Sequence, residues 1–286
     1  MVHEEDFFLE RWIAHWRKQI PDEQIYVLNH GGNEEVARIA AGCNVIRLPY
    51  DSTKKSVNQR RWQILSLHGS ALTSFYHWVA VNDVDEFVVL DPAVGQSLPD
   101  YLMEIAARDH VPSAITTFAV EMVHVPQIEP EPIALDAPII GRRRTYRLNS
   151  NYAKPCLLHR PTEFKAGGHG ANHDEIHIDP NLYNFHLRFI DYDYCMTRFA
   201  KSRERRLAGK TEAEIAAMTG GGWGWNSVEG TFEALSQRLP VAETIDHPDF
   251  RRAMIEKKIS RPPFTLMGGG RPKENYRLPE RFNGVL

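Results

Sequence analysis

The sequence has little cysteine. Cys43, Cys156 and Cys195 are the three in 286 residues, far apart and odd in number, with no metal-like spacing between them. That pattern gives no disulfide framework or thiolate cluster and points to buried thiols in a reducing compartment. No apolar run is long enough to span a bilayer. Residues Met1 to Asp6 are acidic and lack the basic-then-apolar order of a signal peptide. A cytoplasmic protein is therefore expected, with peripheral membrane attachment left open. Neither sign of charge dominates, the net value being −3, so no global attraction to nucleic acid or anionic lipid is implied. Aromatic residues do not interleave the basic stretch, which argues against a nucleic-acid binder. There is no internal repeat and no low-complexity tract. Apolar and charged contents are ordinary, which allows a core of normal size. The length fits one large domain, or one domain with an appendage.

One stretch concentrates unusual chemistry. Trp78 to Val81 reads as a buried strand and Phe87 to Leu90 as another, with Asp83, Asp85 and Glu86 packed between them. Carboxylates beside a core strand are costly unless hydrogen-bonded or bound to a cation. Asp83 and Asp85 are two apart, so on extended backbone they point the same way. Glu86 points the other way and is expected to pair with a nearby lysine or arginine. Two hard oxygen ligands at a strand end make a seat for Mg²⁺ or Mn²⁺. The plain alternative is a solvated acidic turn in a hairpin.

Upstream, helix and strand alternate. The spacing predicts a helix over 5–19 with Phe8, Leu9, Trp12, Ile13 and Trp16 on one face. A strand at Ile25–Leu28 follows, then a helix over 34–41, a strand at Val45–Leu48 and a helix over about 54–68. This is the pattern of an α/β domain with a largely parallel sheet, whose ligands bind beyond the carboxyl ends of the strands. Three loops would gather there: 29–33, 49–55 and 82–86.

Downstream, a helix is expected over 97–110 and a strand over 113–123. A proline-rich loop spans 126–138, long enough for a lid or acceptor-side role. A basic stretch holds Arg142, Arg143, Arg144, Arg147, Lys154, Arg160 and Lys165. It is either a solvated surface or a set of phosphate-facing side chains, since guanidinium groups suit phosphate. A strand is expected at 155–158. Residues 167–177 then form a glycine-flanked loop with three histidines, Asp174 and Glu175. A strand at Leu182–His186 precedes a helix over 191–207. Short helices are expected over about 212–218, 228–238 and 247–257, separated by the glycine run 220–224 and a proline-rich tail.

The segment Asp83-Val84-Asp85-Glu86-Phe87 resembles the metal motif of family-2-like nucleotide-sugar glycosyltransferases with a GT-A fold. The stretch from Val2 to His15 is similar to that group's first helix. Tyr26 to Gly31 resembles its strand and turn, Asn58-Gln59-Arg60 its glutamine-containing helix, and Phe185 to Arg188 its late histidine element. The likeness covers roughly residues 1–206. The remainder, 207–286, reads as a helical or irregular extension packed on that domain. The turn at Asn29 departs from the group's commoner Asp-Asn-x-Ser.

The resemblance implies a GT-A (Rossmann-like) fold with a mixed, mostly parallel sheet. It implies transfer of a sugar from a nucleoside diphosphate to a hydroxyl acceptor, a glycan or glycoconjugate, with inversion and with Mn²⁺ or Mg²⁺. Asp85 would be the first metal ligand and His186 the third. Asp83 would bind the ribose, or the metal through water. One imidazole among oxygens suits Mn²⁺. Asn29, Lys55, Gln59 and Arg60, with Lys54, are candidates for the nucleotide and its phosphates. An inverting transfer needs a general base; Asp174 is the first choice, with Glu175 and Glu121 as rivals. His169 reads as an exposed loop residue or a further site group. Two other readings stand beside this one. An aspartyl-nucleophile phosphatase also uses Asp-x-Asp, but Phe87 stands where it needs a small or hydroxyl residue. A non-catalytic sugar-binding protein could share the fold.

Overall fold

The computed structural model describes residues 1–50, 57–134, 137–173, 175–207, 209, 211–212, 214 and 225–286. The chain is mixed α/β, with seven helices and several sheets among these residues. The first half runs α1 (Asp6–Arg17), β1 (Tyr26–His30), α2 (Glu34–Ile39), β2 (Asn44–Leu48), α3 (Val57–Leu72), β3 (Val79–Ala80), β4 (Glu86–Leu90), α4 (Leu98–Ala106) and β5 (Ala114–Val123). Then come β6 (Thr145–Arg147), β7 (Leu157–Leu158), β8 (Gly170–Ala171), β9 (His177–Phe189), α5 (Tyr192–Leu207) and α6 (Trp225–Ser236). The chain closes with β10 (Pro240–Glu243), α7 (Pro248–Glu256), β11 (Ile259–Arg261), β12 (Phe264–Leu266) and β13 (Asn275–Arg277).

The helices and the strands at the head of the chain form where their periodicity places them. The apolar face of α1 is buried through Phe8, Leu9, Ile13 and Trp16. Asn33 caps α2 by accepting from the amides of Glu35 and Val36.

The expectation of a mostly parallel sheet fails. β1 and β2 are parallel but form their own two-stranded sheet. In the eight-stranded sheet only β5–β9 and β10–β13 run parallel, while β3–β7, β5–β7, β5–β6, β6–β13 and β4–β9 are antiparallel. Alternation of helix and strand stops at β3. Parallel neighbours need a crossover of about a dozen residues, and β4 begins too soon after β3 to have one. The segment after 206 is also less helical than expected. It supplies four strands, of which β10 and β13 join the large sheet. The helix expected over 212–218 and the glycine run 220–224 lie largely outside the described residues.

α1 is fastened to the sheet through His15. Its Nε2–H donates to the Val88 carbonyl at 2.9 Å, and burial pushes its pKa down from 6.5 to about 4. The unfolded chain therefore takes up this proton first as pH falls, so the contribution is present above pH 6.5 and is lost on the way to pH 4. Wild-type stability should drop by about 3 kcal/mol through this window from His15. Urea unfolding of His15→Gln at pH 7 and pH 4.5 should show a correspondingly shallower fall.

Candidate active site

The Asp83–Asp85 turn links β3 to β4, and the register of the large sheet decides what faces it. Glu86 of β4 pairs with His186 of β9, His186 with Glu121 of β5, and Glu121 with Arg147 of β6. Residues directly opposite in neighbouring strands present side chains to the same face. Four residues from four strands thus form one polar row across the sheet. All four are buried.

His186 sits between two carboxylates. Its Nε2 lies 3.8 Å from Asp85 Oδ2 and its Nδ1 lies 3.4 Å from Glu121 Oε1. Tyr152 stacks on the imidazole, ring centres 3.8 Å apart. Arg147 Nε donates to Glu121 Oε2 at 2.5 Å and Asn149 donates to the same oxygen at 3.0 Å. Burial alone would raise the Glu121 pKa, but Arg147, His186 and Asn149 hold it down at about 2. Glu121 is thus an anion held beside His186, whose Nδ1 lies within ion-pair distance without an aligned hydrogen bond.

The three carboxylates of the motif have different partners. Asp83 is held by Arg61 of α3 at 2.8 Å and by Lys154 at 3.3 Å. These two cations overcome burial and depress its pKa. Glu86 meets the buried Lys154 at 2.6 Å, the cationic partner expected for it, but it does not turn away from the motif: the same ammonium reaches Asp83, and Glu86 shares the sheet face of His186. Burial still pushes the Glu86 carboxyl up. Asp85 faces His186 and also Arg198 of α5, at 3.5 Å; Arg198 in turn is anchored by Glu5 at 2.7 Å. His186 and Arg198 lower the Asp85 pKa against the opposing effect of burial.

The remaining expected site residues fall into three groups. Asn29 is buried, and its amide is spent on the turn, donating to Asn33 O at 2.8 Å and accepting from Asn33 N at 2.9 Å. It shapes the loop instead of offering a free group to a base. Gln59 and Arg60 are exposed on the first turn of α3; Arg61, their neighbour, is the one that turns toward Asp83. Lys54, Lys55 and Asp174 lie outside the described residues, with most of the 49–55 loop. Glu175 is 86% exposed beside His110.

Several site residues escaped the sequence reading. Lys154 and Arg147 were hidden in the basic stretch, whose centre is buried and not solvated. Arg143, Arg144, Arg147 and Lys154 are buried and pair with Asp191, Glu243, Glu121 and Glu86. His169 is not exposed: its Nδ1–H donates to Asn151 O at 2.6 Å, and burial followed by Lys154 pushes its pKa down to about 4. The loop reaches this position because Gly167 and Gly168 adopt φ of 91° and 67°. A Cβ on Gly168 would overlap the Trp62 ring.

Comparison with protein-family models, curated proteins and solved structures finds no match for this chain. Among the described residues no group of three or more His, Cys, Asp and Glu is placed to hold a metal ion. Asp85 Oδ2 and His186 Nε2 nonetheless fit as a pair. Their 3.8 Å separation is less than twice a metal–ligand distance of about 2.1 Å. The carboxylate behind the imidazole is the usual second partner of a metal-bound histidine. Sites with few protein ligands complete their shell with water and substrate phosphates.

Proposed function

We propose that this chain is a glycosyltransferase of GT-A type, moving a sugar from a nucleoside-diphosphate sugar to a hydroxyl acceptor with Mn²⁺ or Mg²⁺. The observation that carries the reading is the Asp85–His186 pair at the carboxyl end of β3, backed by Glu121. Asp85 and His186 would hold the cation, which would neutralise charge developing on the leaving diphosphate. The chain's own residues supply the rest. Tyr152 stacks on His186 and Glu121 supplies negative charge at its Nδ1 side. Arg61 and Lys154 hold Asp83 rigid beside the cation seat. Arg198, tied to Glu5, balances the Asp85 carboxylate before donor arrives. A diphosphate with one divalent cation adds little net charge, which suits a cluster whose acids and bases are already paired. Asp83 lies between two cations, which weakens it as a nucleophile and gives no support to an aspartyl-phosphate route. No helix among the described residues is long and apolar enough to cross a membrane.

A thermal-shift screen of nucleoside diphosphates and their sugars, with and without Mn²⁺, tests the reading. Saturating donor at a hundredfold its Kd should stabilise the native state by about 2.7 kcal/mol, and only with the metal. Absence of any shift with every nucleoside diphosphate would remove the proposal. Glu121→Gln should weaken Mn²⁺ binding by about 10- to 100-fold, measured by calorimetry, while leaving Asp85 and His186 in place.

A further inference from the structure

The carboxylate oxygen that faces His186 is shared. Asp85 Oδ2 lies 3.8 Å from His186 Nε2 and also 3.5 Å from Arg198 Nη2. That second contact is the longest of the arginine and lysine ion pairs made by the motif. Arg61 meets Asp83 at 2.8 Å, and Lys154 meets Glu86 at 2.6 Å and Asp83 at 3.3 Å. Arg198 does not depend on Asp85 for its position. Its Nε donates to Glu5 Oε2 at 2.7 Å, and its guanidinium lies 4.8 Å from the centre of the Phe8 ring. Both anchors belong to the head of α1, Glu5 just before the helix and Phe8 in its first turn.

Two firm anchors and one loose contact make the loose contact the exchangeable one. Parting Nη2 from Asp85 leaves the Glu5 bond and the Phe8 contact in place. It frees Nη1 and Nη2, the pair that suits a phosphate in a bidentate bond. A divalent cation on Asp85 Oδ2 would stand next to this guanidinium, and like charges that close repel. The other acids of the motif offer little relief, because Asp83 and Glu86 are already paired with Arg61 and Lys154. A diphosphate brings the missing negative charge to the divalent cation and to Arg198 together.

We propose that Arg198 is a built-in stand-in for the divalent cation: it neutralises Asp85 in the metal-free protein and passes to the diphosphate when metal and diphosphate bind. The second half rests on the sugar-transfer reading. The first half, competition between Arg198 and a divalent cation for Asp85 Oδ2, rests on the distances around that oxygen. The seat then discriminates against a cation that comes without a diphosphate, and a diphosphate alone finds Arg198 still engaged. Each partner raises the affinity for the other, and the linkage is reciprocal. Arg198 is a positioning residue in this scheme, and α5, which carries it, is the element that links the metal seat to the head of α1.

The test uses the full chain. Binding of Mn²⁺ alone is followed by loss of the free-ion electron paramagnetic resonance signal. Binding of UDP, GDP, CDP, ADP and dTDP, each with and without Mn²⁺, is followed by calorimetry. In the wild type Mn²⁺ should raise nucleoside-diphosphate affinity by about 5- to 150-fold. Arg198→Gln should bind Mn²⁺ alone about tenfold more tightly, since a neighbouring like charge is gone, and should lose most of the linkage. Arg198→Lys keeps the charge and loses the fork, and it reports on the proposal even if Arg198→Gln does not fold. It should bind Mn²⁺ alone as the wild type does and bind diphosphate with Mn²⁺ about tenfold more weakly. Unchanged or weaker Mn²⁺ binding by Arg198→Gln overturns the proposal, as does full linkage in either variant. So does equal tightening of Mn²⁺ in Arg188→Gln, whose charge also acts on Asp85 though no ion pair joins them, because the effect would then be general. Failure of every nucleoside diphosphate to bind the wild type would remove the sugar-transfer reading and the second half of the proposal with it, while tighter Mn²⁺ binding by Arg198→Gln would uphold the first.

Discussion

Asp85→Asn should lower sugar transfer by about a thousandfold or more, the scale seen when a group stabilising transition-state charge is removed. The substitution removes the anionic half of the cation seat and leaves His186 facing a neutral amide. Nucleotide-sugar binding should lose its dependence on Mn²⁺, and weak metal-independent binding should remain. The fold should survive, because Arg198 keeps its 2.7 Å contact with Glu5 and Asn is nearly isosteric with Asp. Circular dichroism and Tm near the wild-type values would establish that. Donor binding by Asp85→Asn that still responds fully to Mn²⁺ would mean that the cation sits elsewhere or has no role.

Lys154→Met should act on stability far more than Asp85→Asn does. Lys154 is buried and reaches two carboxylates, Glu86 at 2.6 Å and Asp83 at 3.3 Å. Removing one partner of a buried ion pair costs about 3–5 kcal/mol, because the charge left behind has no compensation. Here Glu86 would lose its only ion-pair partner among the described residues, while Asp83 would keep Arg61. Urea unfolding should show the midpoint falling with an unchanged slope. A double variant, Lys154→Met with Glu86→Gln, should recover part of the loss by removing the orphaned charge. Failure of the double variant to recover any stability would place the effect in packing against Trp62, whose ring centre lies 5.0 Å from Lys154 Nζ.

The motif at Asp83–Glu86 was legible because apolar runs flank it; the extended backbone expected for it is instead a turn closed by the Glu86 N–H on the Asp83 carbonyl. Glu86 does not face away as alternation implied, since it shares Lys154 with Asp83 and a sheet face with His186, the partner of Asp85. His186 was visible as a polar residue in an apolar strand. Its partner was not. Glu121 and His186 are far apart in sequence and meet only through the β5–β9 register, which no local pattern encodes. Lys154 was misread for a related reason. A lysine among arginines looks solvated until the strands around it close, and charge runs carry no sign of burial. The sheet direction failed because periodicity reports that a strand exists and says nothing about which way it runs. Arg61, which pairs with Asp83, was not singled out beside Arg60, because one residue on a helix turns a side chain by about 100°.

The polar row across four strands has a consequence for how this protein can change. Register shifts lie on either side of it in the β5–β9 pairing, between Thr116 and Phe118 and between Glu121 and Val123. One residue inserted in β5 just before Glu121 would turn that carboxylate to the opposite side of the sheet. Arg147 would lose its partner and His186 its support in one step. Amino-acid exchanges in these strands can be graded in size and charge, but length changes cannot. Inherited insertions and deletions are therefore expected in the connections, such as the proline-rich 126–138 loop, and to be absent from β5 and β9.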